Sequence, residues 1–121
     1  MRTILVPERL EDETEWIDLP ANEAARLRVV QEAVGGYFAP HVLVATNPGL
    51  IMLVHEDGPA MGAPVNARAS ALAGSLHPNG PQMIAIYGTV IVAGLSGVDL
   101  TDIPDAAIGK FREFHLLPKV N

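Results

Sequence analysis

A chain of 121 residues with 49% apolar content is long enough to bury one core, roughly two-thirds of the surface its unfolded form exposes. A cysteine count of zero excludes disulfide frameworks, thiolate nucleophiles, iron-sulfur clusters and Cys-based zinc sites. The formal charge of -6 is uneven: seven acids against Arg2 and Arg9 give residues 1–23 a charge of -5, while the six later basic residues are scattered, which argues against nucleic acid as a ligand.

Met1 to Glu8 lacks the apolar stretch of a secretory signal, and the uncharged run Gly58 to Ala67 is broken by Gly and Pro. The expectation is a cytoplasmic protein without a membrane span. Thr3 to Val6, short and rich in β-branched residues, and Glu15 to Leu19, which alternates polar and apolar, read as two strands, the second half-exposed. Pro20-Ala21-Asn22 then opens a helix. Asn22 is suited to accept the free amides of the first turn, Ala24, Leu27, Val30 and Val34 recur at helical spacing, and Gly35 stands where a left-handed cap belongs.

From Tyr37 to Ala45 the pattern is extended, Asn47-Pro48-Gly49 marks a turn, and Leu50 to His55 returns as the second arm of a hairpin closed by Glu56-Asp57-Gly58-Pro59. Pro64 to Leu76 is Ala-rich and predicts a short helix starting near Asn66, ended by Gly74 and the cluster His77 to Pro81. Met83 to Ala93 is the most apolar segment and reads as a central strand. Thr101 or Asp102 caps a last helix with Pro104 in its first turn, and Ala107, Ile108, Phe111 and Phe114 face the sheet. The order β-β-α-β-β-α-β-α predicts a single α+β domain: a mostly antiparallel or mixed sheet of about five strands with two or three helices on one face.

Gly35-Gly36-Tyr37 reads as a tight helix-to-strand turn, since glycine accepts positive φ and the Tyr37 ring is suited to anchor the next strand. It is not a phosphate loop, because the glycines end a helix instead of opening one. His55-Glu56-Asp57 places an imidazole and two carboxylates at a strand end, with Asn66 and Arg68 approaching from the following helix. His55, Glu56, Asn66 and Arg68, with Tyr37, form the best candidate ligand or partner site. The plainer reading is a charged turn followed by an Asn helix cap, because no motif fixes a nucleophile.

His55-Glu56 lacks the second histidine of a metalloprotease helix, and His41, His77 and His115 stand far apart. No metal or cofactor is assigned. The acidic stretch Glu8 to Asp18 suits either a solvated turn or an imitation of a nucleic-acid backbone, and solubility alone accounts for such a balance.

Val30 to Tyr37 with its Gly-Gly-Tyr, then Asn66-x-x-Ala69, then Gly88-Thr89-Val90-Ile91-Val92, in this order, resemble a family of small proteins encoded mainly by bacteriophages and catalogued as a domain of unknown function. The resemblance spans roughly residues 27 to 94. The chain departs from it at His55, where an amide residue is usual, and in the longer stretch Gly74 to Gln82. The resemblance implies a phage origin, a similar fold and no established activity. The function expected is that of a phage accessory protein that binds a host protein or a small signalling molecule. Two other readings stand beside it: a small enzyme with His55 or Glu56 as general base and Arg68 stabilising an anion, and a structural homo-oligomer using Met83 to Ala93 and Trp16.

Overall fold

The computed structural model describes residues 1–119. Its elements in chain order are β1 (Arg2–Val6), β2 (Glu15–Asp18), α1 (Glu23–Val34), β3 (Phe38–Val44), β4 (Gly49–His55), α2 (Ala67–Ser75), β5 (Val90–Ser96), β6 (Asp99–Thr101), a 3-10 turn (Asp105–Ala107) and α3 (Ile108–Glu113). All strand pairs are antiparallel, in the order β2-β1-β5-β4-β3. β6 pairs with the later half of β5 while β1 pairs with its earlier half, so two short strands share one edge of β5. Among the described residues the fold is α+β with six strands and three α-helices.

β4 and β5 are apolar at nearly every position because both faces of the sheet are covered. Ile4, Val6, Leu50, Met52, Val90 and Val92 point to one face, where Leu72, Ala73, Phe111 and Leu116 close the larger core. Ile51, Leu53, Ile91, Ala93 and Leu95 point to the other and pack under Val30 and Val34 of α1. The expectation of helices on one face is therefore corrected: α1 lies on one side, α2 and α3 on the other. The two-residue period of a strand makes this unavoidable once consecutive residues are apolar. Each fully buried Ile or Val of β5 contributes about 1.5–3 kcal/mol.

Local chemistry fixes the helix ends as the residue types suggest. Asn22 Oδ1 accepts from the Ala25 amide at 2.9 Å to start α1, and Gly35, at φ 88°, ends it with its own amide on the Gln31 carbonyl. Asn66 starts α2 with Oδ1 on the Ala69 amide at 3.1 Å. Its Nδ2 donates to the Val6 carbonyl at 3.0 Å and to the Gly88 carbonyl at 2.9 Å, so a fully buried side chain joins β1, α2 and the entry to β5.

Three expectations change. The central strand begins at Val90, not Met83, and Met83 is fully exposed. Before it, the Ile86 amide bonds to the Ser70 hydroxyl, the Ile86 carbonyl accepts from the Asn66 amide, and Gly88 turns the chain at φ 80°, so this backbone is held by α2 and not by a ladder. The last helix is a 3-10 turn followed by α3, with no side-chain cap; Thr101 belongs to β6, and Asp102 accepts from the Arg2 amide at 2.7 Å instead. Tyr37 is 72% exposed, so its ring anchors nothing; Phe38 packs against the α1-side core in its place.

Replacing Gly35 with Ala should cost about 1 kcal/mol, because Cβ crowds the backbone at that φ although no neighbour stands in its way. Thermal melts should show a loss of a few degrees. Asn66→Ala should cost about 2–4 kcal/mol in denaturant unfolding, since it removes a cap and strands two carbonyls. Asn66→Asp retains the cap acceptor but not the donors, and should be no less damaging than Ala.

Candidate functional site

The segment leaving β1, Pro7 to Thr14, separates two clefts. On one side Arg68, two residues into α2's first turn, donates through Nη2 to the Pro7 carbonyl at 3.0 Å and the Arg9 carbonyl at 2.9 Å. It is only 8% exposed and has no ion-pair partner within 4 Å among the described residues. Burial pushes its pKa below the usual arginine value, against the opposing pull of Asp12 and Glu11 at longer range. This guanidinium lines a cleft of about 470 Å³ whose other charged walls are Glu11, Asp12, Glu13, Arg112 and Lys119, with His115 beside them.

Much of that charge is spent internally. Glu11 pairs with Arg9 at 2.6 Å and Glu13 with Lys119 at 3.5 Å. Glu11 sits below the usual carboxylate range, first through its own backbone amide and then through Arg9, while the Glu11 hydrogen bond raises Arg9. Arg68, Arg112 and Asp12 remain without ion-pair partners among the described residues, two cations against one anion.

On the other side of the segment, Glu8 lines a second cleft of about 310 Å³ with His55, Thr89 and Gly88, beneath the end of α1 and the loop Met61–Pro64. The Glu8 amide donates to Thr89 Oγ1 at 3.3 Å. His55 Nδ1 accepts from the Asp57 amide at 2.9 Å, which leaves the proton of a neutral ring on Nε2. A Cβ at Gly36 would come within 2.6 Å of that Nε2, so Gly36 is needed for close approach of the imidazole, whereas Gly35 is needed for its φ.

The structure brings together only part of the constellation read from sequence. His55 and Glu56 both line a shallow neighbouring cleft of about 210 Å³. Tyr37 meets Glu56 through the backbone alone, its carbonyl accepting the Glu56 amide at 2.9 Å. Asn66 has both donors and its acceptor committed within the fold. Arg68 lines the opposite cleft from His55. Glu8, Thr89 and Arg112 were not singled out by sequence; Thr89 belongs to the quoted Gly-Thr pattern, but nothing local marks Glu8 or Arg112. Among the described residues no group of three or more His, Asp or Glu is placed to hold a metal, and no helix is long and apolar enough to cross a membrane.

No curated protein and no solved structure matches the chain. A family profile does, over residues 1–115, which takes in β1 and β2 as well as the stretch 27 to 94 that carries the sequence pattern. Both clefts are built from residues within that span except for Leu117 and Lys119. The chain belongs to the family described as Domain of unknown function (DUF3846).

Proposed function

We propose that the protein is a bacteriophage accessory protein that acts by binding, and that its ligand is a small anionic molecule of the host cytoplasm held in the Arg68 cleft. The phage setting rests on the sequence resemblance. The observation that carries the ligand class is Arg68 itself: a buried guanidinium that, among the described residues, has carbonyl partners only, at the wall of a cleft of about 470 Å³ that it shares with Arg112, which has no ion-pair partner among those residues. Burying a cation without a counter-charge is costly, and an anion in the cleft relieves that cost through a charge-assisted contact. Arginine also offers a planar fork that matches carboxylate or phosphate oxygens.

The catalytic alternative has less support. It asks Arg68 to steady an anion beside a base at His55 or Glu56, yet Arg68 lines none of the clefts that hold His55. With Nδ1 already accepting, His55 presents a donor toward Gly36 rather than a free base.

Protein purified from bacterial cells and then denatured by heat should release an anionic compound detectable by mass spectrometry. Arg112→Ala should lower its recovery about tenfold with an unchanged melting temperature, because an exposed arginine adds little to folding while a charge-assisted contact contributes about 1.5–3 kcal/mol to binding. Arg68→Ala should abolish recovery and also destabilise the fold by about 1–3 kcal/mol, since two carbonyls lose their donor. Equal recovery from Arg112→Ala, or no released compound from several host backgrounds, would sink the proposal.

A further inference from the structure

We infer that the Glu8 cleft is a second binding site, independent of the Arg68 cleft, and that it takes a primary ammonium group carried on a short apolar chain. Glu8 is half-buried at its wall and has no ion-pair partner within 4 Å among the described residues; no lysine or arginine lines this cleft, and the neighbouring Arg9 is paired with Glu11 instead. A carboxylate drawn partly out of water gains from a cation more than an exposed one does.

Three further features agree in sign. The end of α1 lies over the cleft, and its last turn contains no basic residue. The Gly35 and Gly36 amides both donate to the Gln31 carbonyl, which leaves the later carbonyls of that turn uncapped, so the negative end of the helix dipole faces the cleft. Thr89 Oγ1 already accepts the Glu8 amide and keeps a second lone pair for another donor. His55 adds no acceptor, its Nδ1 being occupied.

Room for the group exists beside the carboxylate. A Cβ built on Gly88 would stand 3.8 Å from Glu8 Oε2 and 3.7 Å from the Ala63 Cβ, the separation of ordinary contact, so the glycine keeps the cleft wall low beside the carboxylate and an ammonium can approach it from the open side. Val34, Met61 and Pro64 supply apolar surface for the chain that carries it. The same chemistry is offered by a free alkylamine and by a lysine side chain of a partner.

The test is a titration of isotope-labelled full-length protein followed by amide chemical shifts, with n-butylamine as probe and 1-butanol as its neutral counterpart. Butylamine should produce saturable shifts at Gly35, Gly88 and Thr89, and 1-butanol should not. Glu8→Gln, which keeps the backbone contact to Thr89, should weaken butylamine at least tenfold while the melting temperature holds. Ala63→Lys, which places an ammonium of its own beside Glu8, should abolish the response. Running 1,5-diaminopentane against Nα-acetyl-lysine amide separates the sources: tighter binding of the first supports a free amine, of the second a lysine side chain. Absence of a saturable shift, equal affinity in Glu8→Gln, or an equal response to 1-butanol would overturn the inference. Arg112→Ala should leave this titration unchanged, so failure here is distinct from failure at the Arg68 cleft.

Discussion

The buried amide of Asn66 is the constraint on which the rest of the architecture depends. Its oxygen starts α2, and its nitrogen holds the last residue of β1 and the residue that turns the chain into β5. A side-chain amide has two donors and one carbonyl acceptor, and here each is matched to a different element. Inside a low-dielectric core such a satisfied set specifies one arrangement, because any shift strands a polar group. Arg68 extends the hold by one more strand exit: it reaches the carbonyls of Pro7 and Arg9 just beyond Val6. The path of residues 6 to 9, and so the partition between the two clefts, follows from two side chains at the start of one short helix.

The acidic first quarter of the chain takes a different meaning in this frame. Asp18 pairs with the N-terminal ammonium at 3.0 Å, Glu11 with Arg9 and Glu13 with Lys119. These are exposed pairs of small energetic weight, but they divide a run of like charge into local neutral units. What remains among the described residues is sparse and separated: Glu8 on one side of the segment, Asp12 on the other, Glu15 at the start of the edge strand β2 and Glu23 in the first turn of α1. An imitation of a nucleic-acid backbone needs evenly spaced, unpaired anions, and this geometry supports a divided surface better than a continuous one.

Much of the fold was legible because its signals are local. Asn22, Gly35 and Asn66 declare helix ends through chemistry acting within a few residues, and the apolar runs of β4 and β5 follow from burial on both sides. Apolar content misleads at Met83 to Thr89, where Ile84 and Ile86 reach the core from a backbone that Ser70 and Asn66 hold away from the ladder. The hairpin from β5 to β6 turns at Gly97, φ 63°, a Ser-Gly signal between apolar stretches that sequence reading passed over. The site was less legible. Nothing near Arg68 in sequence shows that its partners lie about sixty residues earlier, or that burial would set it apart from His55.

That separation bears on what kind of chemistry the molecule can support. Acid-base catalysis gathers groups of perturbed and complementary character into one water-poor space. Among the described residues the one buried charged side chain is an arginine, which carries no transferable proton near neutral pH. The His55 imidazole lies in another cleft with its acceptor nitrogen already engaged, while His115 shares the cleft of Arg68. No buried side-chain polar atom among the described residues lacks a hydrogen-bond partner. Arg68 and Glu8, charges of opposite sign, line separate clefts on either side of one strand exit, an arrangement that agrees with the recognition role proposed above.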